Sequence, residues 1–158
     1  MNGEVSIIKL FCRDLSRELT IRQVSKLIKK SYAYTNKEVW DLVKKGVLNK
    51  KEIGKSVVCS LNLKNEMTKV LLSLNSALEK QEHLKDKEEL IKELKEKDAY
   101  TAFISNKKLI IISKEKISVK NAKILDKKEF ASFIKENQDN LIVYGFEKYW
   151  ELVGDAYE

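Results

Sequence analysis

The chain has no proline, two cysteines, one histidine and three arginines. Each scarcity removes a class of explanation. Cys12 and Cys59 both lie in apolar-periodic runs, so they are expected as buried free thiols in a reducing compartment. Two such residues exclude a disulfide framework and a cysteine-built zinc site. His83 alone cannot make a metal site. No stretch reaches the roughly 18 consecutive apolar residues of a membrane span, and Met1-Asn2-Gly3-Glu4 lacks the basic start of a secretory signal. The expectation is a cytoplasmic protein with no membrane partner.

What is present is mostly charge. Of 158 residues, 35% are charged and 43% apolar, which suits thin cores, long solvated helices and an oligomer that buries further surface. The length fits one domain comfortably or two small ones tightly. The net charge of +7 is unevenly spread: residues 1–63 hold 13 Lys and Arg against 6 Asp and Glu, whereas residues 64–158 hold 18 of each. A cationic part beside a neutral one is what attraction to phosphate requires, because each neutralised phosphate releases condensed counterions. A lysine-rich surface that only maintains solubility is the plainer alternative.

Residues 20–63 carry the most specific pattern. Thr20 can cap a helix whose apolar residues Ile21, Val24, Leu27 and Ile28 fall on one face. Lys29-Lys30-Ser31 breaks that rhythm, and a second helix is expected over 33–45, with Val39, Leu42 and Val43 sharing a face and Gly46 ending it. Val47-Leu48 and the run from Val57 to Leu61 then flank a turn at Gly54 as a β-hairpin. Upstream, Val5 to Leu15 reads as an amphipathic helix roofing this core, joined to it by a short link, Ser16-Arg17-Glu18-Leu19.

A helix-turn-helix followed by a hairpin lays its second helix across bases and its hairpin across an adjacent groove. Tyr32, Tyr34, Asn36 and Lys37, at the start of the second helix, are the base-reading candidates. Asn pairs with adenine in a bidentate fashion, Lys donates to guanine or phosphate, and tyrosyl hydroxyls reach phosphates. Arg22 is placed for a phosphate at the start of the preceding helix, and Lys50, Lys51 and Lys55 cluster near the hairpin tip. The competing reading packs the tyrosines on the first helix, makes Asn36 a helix-start residue and leaves the hairpin lysines merely solvated. Trp40 can either close the core edge or contact the sugar-phosphate backbone.

From Asn65 to about Lys97 there is neither Gly nor Pro, and Met67, Leu71, Leu74 and Leu78 recur at coiled-coil spacing. This segment, 64–97, reads as a helical linker and dimerisation region, with a break expected at 82–86. The alternative packs the same face on the chain's own C-terminal half. Residues 98–158 read as a small α+β unit. Strands are expected at 100–104, 109–112, 122–125 and 141–144, the first two joined as a hairpin. Asp126 caps a helix over 127–136 that faces Phe130, Phe133 and Ile134 inward, and a short aromatic helix follows over 145–153.

Leu19-Thr20-Ile21-Arg22-Gln23-Val24-Ser25-Lys26-Leu27 and Val39-x-x-Leu42-x-x-x-Gly46-Val47-Leu48 resemble winged helix-turn-helix regulators of the ArsR/MarR-like group. Asp126-Lys127-Lys128-Glu129-Phe130 and Leu141-Ile142-Val143-Tyr144-Gly145-Phe146-Glu147 look like the tail of winged-helix proteins fused to a minimal nucleotidyltransferase domain, common in archaea. That family opens its catalytic part with a Gly-Ser turn and holds metal on paired aspartates. This chain has no Gly-Ser dipeptide and no Asp-x-Asp, so the resemblance implies a shortened, catalytically dead version.

The reading that follows is an α+β protein: a winged helix-turn-helix over 1–63, the linker helix region, and the small C-terminal domain. It is expected to be a homodimeric regulator that binds specific double-stranded DNA, not an enzyme, and to need no cofactor. A winged-helix scaffold for protein-protein contacts and a catalytically inactive nucleotidyltransferase-like partner protein are the alternatives.

Overall fold

The computed structural model describes residues 3–83 and 87–158, with the backbone alone over 81–83. These residues form an α+β fold of seven helices and two small sheets. The chain divides into two compact units, Met1–Asn75 and Ser76–Glu158, so the boundary falls inside the segment read as a linker.

In the first unit, α1 (Gly3–Lys9) buries Val5, Ile7 and Ile8. It is shorter than the helix expected from Val5 to Leu15. Phe11 and Leu15 are buried from the turns that follow, where Leu10 and Phe11 N–H reach back three residues. Burial thus continues the apolar pattern after the helix has ended. Leu19–Thr20, read as part of a link, is instead a strand, β1. It pairs antiparallel with β3 (Ser56–Leu61), setting Leu19 opposite Cys59 and Thr20 opposite Val58.

α2 (Ile21–Ile28) starts on the expected threonine. Thr20 Oγ1 accepts from Gln23 N at 3.1 Å while Thr20 N donates to Gln23 Oε1 at 2.8 Å, a reciprocal capping box. It ends at Lys29, whose left-handed φ of 57° lets the next N–H, of Lys30, return to Ser25 O. Ser31 then caps α3 (Tyr32–Lys44). Thr35, Val39 and Leu42 face inward there, and Thr35 Oγ1 donates to Ser31 O instead of remaining unpaired. Gly46, at φ +76°, ends the helical run and turns the chain into β2 (Leu48–Ile53). Three strands result, in the order β1-β3-β2.

Two expectations in this unit are corrected. Leu27, assigned to the inward face of α2, is 46% exposed. The helix has only two turns, and Ile21, Val24 and Ser25 take its buried stripe. The α4 seam (Glu66–His83) is also divided: Leu71 and Leu72 are buried, while Met67, Val70 and Leu74 are 45%, 60% and 45% exposed. Leu78 is half-buried. The break expected at 82–86 falls for the most part outside the described residues.

The second unit takes in the end of α4 and then α5 (Glu88–Glu96), β4 (Thr101–Ser105) and β5 (Lys108–Ile112). It continues with β6 (Ala122–Leu125), α6 (Lys127–Glu136), β7 (Leu141–Tyr144) and α7 (Phe146–Ala156). The strand order is β6-β5-β4-β7, with β4 antiparallel to both β5 and β7, and β6 parallel to β5. On one face, Phe103 packs edge-on against Phe130 at 5.8 Å and Tyr149 at 5.3 Å, and Phe133 lies beside it. Leu94 of α5 covers the other face with Ala102, Ile111, Val119 and Val143. Two hydrogen bonds join polar tips in this core: Asn140 Nδ2 donates to Tyr149 Oη at 2.9 Å, and Trp150 Nε1 to Ser76 Oγ at 3.0 Å.

Candidate nucleic-acid interface

The residues singled out between Arg22 and Lys55 all lie in the first unit, on α2, α3 and the β2-β3 hairpin. That unit holds 15 Lys and Arg against 7 Asp and Glu, and the second holds 16 against 17. Its hairpin turns at Gly54-Lys55, with Ile53 opposite Ser56 and Gly54 at φ +61°. A positive φ at the first central position only is the mark of a type II′ turn, which matches the twist of the flanking strands. Only Leu48 of β2 is buried, and every residue from Asn49 to Ile53 is exposed. In a strand packed on a core alternate residues would be covered. The outer hairpin therefore stands clear of the core, with Lys50, Lys51 and Lys55 in solvent.

Arg22 and Lys37 are exposed on α2 and α3, and Tyr32 is 53% exposed. Tyr34 differs. Its ring is 39% exposed with Lys30 Nζ 5.9 Å from its centroid, but its hydroxyl lies against Gly3 of α1, where an added Cβ would collide with it. The packing alternative thus describes its hydroxyl end, and the outward role describes only its ring.

Asn36 is half-buried. Its Oδ1 accepts from Trp40 Nε1 at 3.1 Å, one helical turn on, and Lys50 Nζ sits 4.5 Å from the Trp40 ring centroid. Trp40 therefore couples the α3 surface to the hairpin through a hydrogen bond and a cation-π contact, and holds Lys50 beside α3. Its i, i+4 spacing from Asn36 was the available clue to this linkage. Asn36 keeps its amide N–H groups as donors, since only its oxygen is engaged.

Further cations, which no sequence motif marks, lie on the same unit. Lys26, Lys29 and Lys30 are exposed along the end of α2 and the turn to α3. Lys9, Arg13 and Arg17 line a shallow groove floored by Leu10, Leu27 and Ile28, where Arg17 donates to Leu10 O at 3.0 Å. Lys45 is bound to Glu4 of α1, and that hydrogen bond raises its pKa above the ordinary lysine value. Burial pushes the Cys59 thiol beneath the sheet up to about 11, which keeps it protonated and unreactive at neutral pH. Among the described residues no three His, Cys, Asp or Glu side chains gather as a metal ion would need, and no helix is long and apolar enough to cross a membrane.

Compared with protein-family models, with curated proteins and with solved structures, the chain finds no match in any of the three.

Proposed function

We propose that this chain is a sequence-specific, double-stranded DNA-binding transcriptional regulator whose first unit acts as a winged helix-turn-helix. The observation that carries the reading is the β2-β3 hairpin, solvated along its outer length, bearing Lys50, Lys51 and Lys55 and tied by Lys50 and Trp40 to the exposed start of α3. The order of a helix, a short strand, two capped helices and a hairpin whose second strand pairs with the first short strand supports the winged-helix reading. In this reading α3 enters the major groove with Tyr32, Asn36 and Lys37. Arg22 holds a phosphate, and the hairpin lysines lie along the neighbouring groove.

Binding to DNA selected from a random duplex pool tests the proposal. Affinity should fall steeply from low to moderate salt, and Lys50→Glu, Lys51→Glu and Lys55→Glu together should lower it about a hundredfold or more. Asn36→Ala and Lys37→Ala should each cost about 1 to 3 kcal/mol on the selected site while preserving the fold. Salt-independent binding, or an unaltered affinity in the triple variant, would remove the DNA reading.

Two-fold pairing would double the base contacts, and the exposed row Met67, Val70 and Leu74 on α4 is the surface proposed for a homodimer. Met67→Glu with Leu74→Glu should give a folded monomer by light scattering. Leu71→Glu should unfold the chain, because its side chain is already buried within it. A dimer that survives the double change would place the interface elsewhere.

A further inference from the structure

The start of α3 carries one amide whose orientation is fixed by the chemistry of its partner. Asn36 Oδ1 accepts from Trp40 Nε1 at 3.1 Å. An indole N–H only donates, so the amide atom that faces it is the oxygen and never the nitrogen. Trp40 is held from its ring face as well, since Lys50 Nζ of β2 stands 4.5 Å from the ring centroid. The indole is thus gripped by two elements of the unit at once.

Asn36 Nδ2 is placed differently. Among the described residues it donates to no protein group, and it is not a buried unpaired atom, so it meets solvent. Its neighbours on α3, Lys37 beside it and Tyr32 one turn before it, are exposed. The amide therefore gives its acceptor to its own helix and offers its donors to whatever α3 meets. An asparagine that pairs with adenine needs both functions side by side, the N–H on N7 and the oxygen on the N6 amino group. Here the oxygen is engaged and the indole stands next to it. In the major groove guanine presents two adjacent acceptors, N7 and O6, whereas adenine sets a donor beside its one acceptor. Pairing with adenine would bring an amino group against a donor edge, or would break the Trp40 bond and leave a half-buried indole N–H unpaired.

We infer that Asn36 reads a guanine through its amide N–H groups, and that Trp40 is the positioning residue that sets this choice. The inference rests on the DNA reading of the first unit, and it replaces the adenine pairing expected from the residue type alone. A Trp40 that only closes the edge of the core would have no influence on which base is chosen.

The test is selection from a random duplex pool by the full chain, run for wild type, Asn36→Ala and Trp40→Phe. The base pair at which Asn36→Ala loses its preference is the one Asn36 reads. Wild type should favour guanine over adenine there by about tenfold. Trp40→Phe removes the indole N–H but keeps a ring face for Lys50, so the amide is free to turn. Its preference for guanine over adenine should fall to about threefold or less, with the salt dependence of binding unchanged. Adenine at that pair in wild type, or full guanine preference in a folded Trp40→Phe, overturns the inference and leaves the DNA reading standing. An Asn36→Ala selection identical to that of wild type does the same. The wild-type base is read without any change at Trp40, so a misfolded Trp40→Phe does not remove the test. Enrichment of no duplex at all overturns both readings together.

Discussion

The two units each contain an antiparallel hairpin with a two-residue turn, and the two are used in opposite ways. β2-β3 turns through Gly54-Lys55 and exposes one strand on both faces beyond Leu48. β4-β5 turns through Asn106 and Lys107, both at positive φ, and buries most of its length, with Thr101, Ala102, Phe103 and Ser105 covered and Ile110, Ile111 and Ile112 opposite. The backbone solution is shared, and side-chain polarity decides whether a hairpin projects or sits inside. A strand with apolar residues on both faces is stable only when layers cover both, as the aromatic cluster and α5 do here. One with polar residues on both faces has no core to join and is left to contact something else.

The largest expected effect sharpens that contrast. Phe103→Ala removes the ring at the centre of the aromatic cluster and should cost about 3 to 5 kcal/mol, somewhat more than Leu42→Ala in the aliphatic first core. Urea titration followed at amides of both units measures it. Loss of α2 and α3 signals at the same urea concentration as those of β4 in Phe103→Ala would show that the two units unfold as one.

Two glycines at positive φ compare the turns at smaller scale. At Gly145, φ +70°, a Cβ would strike Tyr100 O and lie 3.0 Å from Thr101 Cα, so Gly145→Ala should cost about 3 kcal/mol from left-handed strain and collision together. At Gly54, φ +61°, nothing lies within 4 Å, so Gly54→Ala should cost only about 1 kcal/mol. Equal costs in thermal unfolding would refute the assignment of one turn as packed and the other as free.

The smallest effect concerns pH. The folded Cys59 thiol holds its proton up to about 11, against 9.0 for an ordinary thiol. Its folded pKa is the higher one, so its contribution is complete below pH 9 and is lost as pH rises toward 11. Relative to Cys59→Ala, wild-type stability should fall by about 2 kcal/mol across that window. Parallel pH profiles of the two proteins would contradict the burial of this thiol.

Local chemistry was legible in the chain. Thr20 and Asp126 start their helices as their side chains require, β6, α6 and β7 occupy the expected residues, and Cys12 and Cys59 are buried free thiols. Periodicity states which residues are apolar and how they repeat. It does not state which of two candidate neighbours covers them. That is why Leu27 and Leu74 belong to apolar stripes and yet face solvent, why Phe11 is buried after its helix has ended, and why Leu19–Thr20 became a strand only through the partner Cys59 offers it. The candidate interface divides in the same way. Its charge could be counted along the chain, whereas the turning of the Tyr34 hydroxyl onto Gly3 and the seating of Lys50 on Trp40 depend on residues distant in sequence.

The amino-acid order by itself determined the helix starts, the turn positions, the burial of the cysteines and the concentration of positive charge toward the N-terminus, because each depends on neighbours within a few residues. Only the tertiary structure decided which apolar faces are covered, which lysines stand free and which strand ends meet around Tyr100. Those outcomes depend on long-range packing, where the same side chain is core or surface according to what folds against it.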